Sequence, residues 1–191
     1  MAPLGRLALL LAAATIAAPL AAPLAAQPAT TVILVRHADK ATRPAADPPL
    51  TEVGTARAAA LAVALGDARV TVVAHTPTLR TRETARPVAE RFGLTLTVLP
   101  AGPAAAQTEA VAALVRAHPG GTLVIVGHSN TVRRWIAALG GPARPDLCDH
   151  EYDDLFTLVI DAAGSRLVHA RYGPPNPAPS APCEAMGPGR R

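Results

Sequence analysis

Two short runs of β-branched and aliphatic residues dominate the hydropathy pattern of this chain. Thr30-Thr31-Val32-Ile33-Leu34-Val35 delivers Arg36-His37-Ala38-Asp39-Lys40, and Thr122-Leu123-Val124-Ile125-Val126 delivers Gly127-His128-Ser129-Asn130. Apolar runs of that length without polar alternation read as strands buried on both faces of a parallel sheet. Residues 70–74, 94–99, 155–160 and 167–171 read as further strands, the last two joined across Ala162-Ala163-Gly164-Ser165. Helical composition fills the intervals. Residues 51–65 begin at Thr51, a natural N-cap before Glu52, and residues 78–92 stop at Gly93. Residues 108–117 form a third helix and residues 132–139 a fourth, capped by Ser129 or Asn130. Residues 41–49 and 100–107 read as loops. Strands alternating with helices predict an α/β fold, a three-layer sandwich with a mainly parallel central sheet flanked by helices.

The ends of the chain differ from its middle. Residues 1–26 carry one basic residue, Arg6, then an apolar stretch and an alanine-rich end, which is the composition of a secretory signal peptide. Pro19 and Pro23 interrupt the stretch, and alanine is weakly apolar, so a membrane anchor is the weaker reading. A periplasmic or secreted bacterial protein, with no stable membrane span after cleavage, is therefore expected. About 165 residues remain, enough for one domain with one core, assigned to residues 27–173. The Pro/Gly-rich tail, residues 174–191, is expected to have little regular structure.

Charge changes the picture little. The formal net charge is +4, or +3 without Arg6, and no basic stripe carries interleaved aromatics, so nucleic acid is not an expected partner. Export makes pairing of the two cysteines, Cys148 and Cys183, the expected state; such a bond contributes about 2–4 kcal/mol, mainly by restricting the unfolded chain.

Candidate chemistry gathers at the strand ends. In open α/β sheets the ligand crevice lies beyond the carboxyl ends of the strands, so His37 and His128 emerge at one rim with Arg36. The strand ending near Ala74 leads through His75-Thr76-Pro77-Thr78-Leu79 to Arg80 at the same rim. Two guanidinium groups and two imidazoles suit a phosphoryl group, whose oxygens match the guanidinium fork, and a helix starting near Asn130 adds its positive end.

The ordered set of motifs resembles the histidine phosphatase superfamily, also called phosphoglycerate mutase-like. It comprises Arg36-His37, the segment Pro49-Leu50-Thr51-Glu52-Val53-Gly54, the segment Thr76 to Ala85 with Arg80, and Val126-Gly127-His128-Ser129-Asn130-Thr131. The resemblance covers most of the expected domain. It implies that His37 is the nucleophile that carries a phosphohistidine, later hydrolysed by water. It further implies that Arg36, Arg80 and His128 bind the transferring oxygens, with Ser129 and Asn130 as substrate contacts, and that no metal or other cofactor takes part. The expected partner is a small phosphorylated substrate.

This sequence departs from the family at two places. Ala38 replaces the usual glycine after Arg-His, and Pro100-Ala101-Gly102-Pro103-Ala104-Ala105 stands where many members carry an acidic general acid. Asp39, two residues past the nucleophile, is the first substitute. Glu83 lies one turn from Arg80 and is expected to pair with it, while Glu151, Asp153 and Asp154 read as a solvated acidic turn. Without an acid, good leaving groups would be favoured, phosphoramidates such as phosphohistidine among them. The competing functions are a phosphoglycerate mutase-type phosphotransferase, disfavoured by export, and a non-catalytic anion-binding member of the fold. A serine hydrolase elbow at Ser129 is disfavoured because no glycine follows two residues later.

Overall fold

The structure, a computed structural model, describes residues 28–179. The expected leader and Cys183 lie outside the described residues. Six strands form one sheet in the order β3-β2-β4-β1-β5-β6. β1 (Thr30–Arg36), β2 (Val70–His75), β3 (Leu96–Val98) and β4 (Thr122–Gly127) are parallel to their neighbours among themselves. β5 (Asp154–Asp161) and β6 (Gly164–Arg171) extend the sheet as an antiparallel hairpin against β1.

The side chains of β1 alternate between two cores. Val32 and Leu34 pack with Val72, Leu123 and Ile125 under α3 (Ala104–Arg116) and α4 (Ser129–Ala138), where Trp135 and Ile136 are fully buried. Ile33 and Val35 point the other way, packing with Val73, Val124 and Val126 under α1 (Glu52–Ala64) and α2 (Leu79–Phe92), which contribute Leu61, Ala85 and Val88. That two-sided burial explains why these strands show no polar alternation. The expected three-layer α/β sandwich is present, with a mixed sheet.

The wrapping of the helices fixes the site. β1 and β2 are each followed by a helix on one face, whereas β3 and β4 are followed by helices on the other. β4 lies between β2 and β1, so its connection leaves toward the opposite face from those of both neighbours. Such divergence of adjacent connections opens a crevice at the carboxyl edge of the sheet. In the parallel pair, Arg36 stands opposite Gly127, and the ladder continues as the His37 N–H donates to the Gly127 carbonyl at 2.9 Å. His37 and His128 are consequently the first residues past the strands on either side of the crevice.

Several boundaries differ from those read in the sequence. Thr51 caps α1 as expected, its hydroxyl accepting from the Gly54 N–H at 3.0 Å, and Gly93 closes α2 at φ 64°. α3, however, begins at Ala104, four residues early: alanines that gave no periodic pattern are strong helix formers, so only residues 100–103 remain of the expected loop. α4 begins at Ser129 with His128 itself as N-cap, so neither Ser129 nor Asn130 caps it. β3 is reduced to three residues. The tail has no regular structure through residue 179, but it is tied down, because the carbonyls of Tyr172, Pro174 and Pro175 accept from the fully buried Arg57.

Candidate active site

Local sequence explains how each group is held. His37 is 3% exposed, and its Nδ1 lies 2.9 Å from the Ala38 carbonyl. A carbonyl only accepts, so Nδ1 carries the hydrogen and the lone pair is on Nε2. Burial holds the imidazole well below its usual proton affinity; the positive Arg36, then His128 and Arg80, push in the same direction, against the Ala38 hydrogen bond. The ring is thus neutral with a nucleophilic nitrogen free.

Arg36 is anchored by the loop between α4 and β5. Its Nη1 donates to the carbonyls of Cys148 at 2.6 Å and Glu151 at 2.9 Å, and its guanidinium lies 4.2 Å from the centroid of the Tyr152 ring. Asn176 from the tail supports that loop, its Oδ1 accepting from the N–H of Tyr152 at 2.8 Å and of Asp153 at 3.2 Å. Cys148 is disulfide-bonded. The expected partner, Cys183, is outside the described residues.

Arg80 sits in the first turn of α2. Its Nη2 lies 3.5 Å from His128 Nδ1, while Thr76 Oγ1 lies 2.9 Å from His128 Nε2. Because guanidinium can only donate, His128 Nδ1 accepts and Nε2–H donates to Thr76. Burial, then Arg80 and Arg36, depress His128 to a pKa of about 4 against a weak opposite pull from Asp47. Thr84 ties the two sides together: its hydroxyl accepts from the Ala38 N–H at 2.9 Å and donates to the Arg80 carbonyl at 2.7 Å. The Nε–H groups of Arg36 and Arg80 are buried without a hydrogen-bond partner. Two orphaned, positively charged donors beside a neutral imidazole call for an anion.

The structure therefore brings together Arg36, His37, Arg80 and His128, with Ser129 and Asn130 opening α4 next to His128. It corrects the place given to Asp39. That carboxylate is turned into the domain, where Oδ2 accepts from Arg57 Nε at 2.7 Å beneath α1, and it is a structural anchor in place of a proton donor. Glu83 does not pair with Arg80; its Oε2 accepts from the Leu50 N–H at 2.8 Å. The acidic turn is not solvated. Glu151 accepts from the Cys148 N–H at 2.7 Å, Asp153 is paired with Arg171 at 2.6 Å and Asp154 with His169 at 2.6 Å.

Three groups near the site went unread in the sequence. Tyr152 closes one side of the pocket, its ring centroid 6.0 Å from that of His37, and burial raises its phenol so that it stays protonated. Asp47 caps α2 from outside, both its oxygens 3.0 Å from the Leu79 N–H, which Thr78 leaves uncapped by its own side chain. Arg57 was detectable: it sits between Gly54 and Leu61 at helical spacing, on the buried face of α1.

A family model matches residues 32–101, which run from within β1 past the end of β3 and include Arg36, His37 and Arg80. It is that of the histidine phosphatase superfamily, branch 1. The matched segment carries three of the motifs on which the resemblance rests, and His128, beyond it, is brought in by the β1–β4 register.

Solved structures of phosphatases and of a phosphoglycerate mutase share this fold. The protein histidine phosphatase SixA complexed with tungstate is 21% identical, with 75% of this chain and 96% of that one covered and a TM-score of 0.60. A mycobacterial glucosyl-3-phosphoglycerate phosphatase is 18% identical over 76% of this chain and 99% of that one, with a TM-score of 0.55. A phosphoglycerate mutase from Bacillus anthracis is 15% identical over 75% and 93%, with a TM-score of 0.58. At these identities the likeness is one of fold. By sequence, no curated protein matches the chain.

Proposed function

We propose that this histidine phosphatase-like domain is a phosphatase that hydrolyses a phosphomonoester or phosphoramidate through a phosphohistidine on His37. One observation carries the reading: the free lone pair of His37 Nε2 faces a pocket in which Arg36 and Arg80 each bury an unpartnered Nε–H. In this reading Nε2 attacks phosphorus, the two guanidinium groups take up the charge developing on the equatorial oxygens, and water then hydrolyses the phosphohistidine. His128 enters as the group that holds Arg80 and flanks the nucleophile, since both its nitrogens already have protein partners. Guanidinium donors supply the charge stabilisation, and no step is routed through a metal. The names of the similar structures, which include a protein histidine phosphatase and a glucosyl-3-phosphoglycerate phosphatase, support the reaction class and leave the substrate open.

The test is hydrolysis of p-nitrophenyl phosphate with and without EDTA, beside His37→Ala. The expected result is EDTA-resistant turnover that falls by at least about 10³-fold in the variant, with acid-labile phosphate trapped on wild type only. No turnover by folded wild type, with inorganic phosphate bound equally by His37→Ala, would instead favour a non-catalytic anion-binding protein. The same reading places the protein outside the cytoplasm, on the leader-like composition of residues 1–26. Sequencing the N-terminus of protein from the native host checks it, with Gln27 as the expected first residue.

A further inference from the structure

Building on the phosphatase reading, we propose that Asp47 is the general acid that protonates the leaving oxygen and the general base that later activates water. The other carboxylates weighed for that role are committed elsewhere: Asp39 to Arg57, Glu83 to the Leu50 N–H, Glu151 to the Cys148 N–H, Asp153 to Arg171 and Asn176, and Asp154 to His169. Asp47 stands at the pocket mouth. Its Oδ1 accepts from Arg80 Nη1 at 3.4 Å, and the same guanidinium reaches His128 through Nη2. A single side chain therefore links Asp47 to the ring that flanks the nucleophile at 5.4 Å between centroids.

Position agrees with the chemistry of in-line displacement. His37 forms the buried floor, so the group that leaves opposite Nε2 points outward, toward the rim. The Asp47 side chain is 49% exposed there, able to exchange protons with water, and it lies on a loop rather than in the core. With a phosphoryl group on Arg80, Asp47 carries a proton taken from water at the rim. As the P–O bond breaks and the Nε2–P bond forms, that proton passes to the leaving oxygen. Asp47, now a carboxylate, removes a proton from the water that attacks phosphorus; the Nε2–P bond breaks, inorganic phosphate departs and Asp47 is again protonated. The atoms balance without any further reactant.

The rival carboxylate is Asp149, 3.7 Å from Arg36 Nη2 with its side chain 87% exposed. The experiment measures kcat/KM for aryl and alkyl phosphates of increasing leaving-group pKa in wild type, Asp47→Asn, Asp149→Asn and His37→Ala, with folding checked by circular dichroism. Asparagine keeps an oxygen for the Leu79 N–H, so the α2 cap survives. Asp47→Asn is expected to lose about 10²–10⁴-fold on alkyl phosphates and progressively less as the leaving group becomes more acidic. An equal loss on every substrate, no loss, or a leaving-group-dependent loss in Asp149→Asn instead overturns the assignment while His37-dependent turnover still upholds the phosphatase reading. Wild type inactive on all esters overturns the assignment and confines the phosphatase reading to phosphoramidates, whereas His37→Ala as active as wild type overturns both.

Discussion

His37 and His128 stand edge to face, their ring centroids 5.4 Å apart and their planes at 67°. Two imidazolium ions at that separation, between Arg36 and Arg80, would concentrate four positive charges in a buried pocket. Desolvation and the guanidinium groups keep both rings neutral instead, and the Ala38 carbonyl and Thr76 hydroxyl select their tautomers. The site thereby holds a competent nucleophile and a positive field together.

Lowered histidine pKa values have a signed consequence for pH. Each ring binds protons less readily folded than unfolded, so their contribution to stability is complete above about pH 6.5 and is lost as pH falls toward about 4, where His128 itself protonates. Urea denaturation should show a loss on the order of 3 kcal/mol for the His128 contribution across that window, and His128→Asn should flatten the slope. Turnover, corrected for the ionisation of substrate, should persist as pH is lowered through 6.5. An acid limb centred there in kcat/KM would show that the nucleophile titrates normally.

Arg57→Ala is expected to destabilise the domain by about 3–5 kcal/mol, since it leaves Asp39 buried without its partner and frees the carbonyls of Tyr172 and of Pro174 in the tail. The double variant Arg57→Met with Asp39→Asn should recover part of that loss. Denaturant midpoints of the two proteins decide the matter, and equal midpoints would mean that the unpaired Asp39 charge is not what destabilises Arg57→Ala.

Gly127→Ala should damage stability and turnover together. A Cβ there would stand 2.4 Å from Trp135 Cζ3 and 2.6 Å from Thr131 Oγ1, so α4 must shift, at about 1–3 kcal/mol. The same peptide accepts the His37 N–H, which ties the shift to the nucleophile. Thermal unfolding and kcat/KM measured on one preparation check both effects; an unchanged kcat/KM at a lowered Tm would uncouple them.

Asn176→Ala removes the oxygen that accepts from the N–H groups of Tyr152 and Asp153, and with it the support of the loop whose carbonyls hold Arg36. The expected cost is about 1–3 kcal/mol in stability. Turnover should fall more than the folded fraction does, because Arg36 loses its fixed orientation. Activity that merely tracks the folded fraction would confine Asn176 to a structural role.

The sequence by itself determined the β-α alternation, the two-sided burial of β1 and β4, the cap at Thr51 and the stop at Gly93, because each follows from local period or backbone preference. It also placed Arg36, His37, Arg80 and His128 at strand or helix ends facing one rim. Tertiary structure alone decided what the acidic groups do. A carboxylate's role depends on which cation or N–H meets it, and those partners lie far along the chain: Arg57 for Asp39, Leu50 for Glu83, Leu79 and Arg80 for Asp47. Spacing records which residues share an element, whereas the packing of α1, the tail and the loop of residues 41–50 around the β1–β4 crevice determines which of them meet.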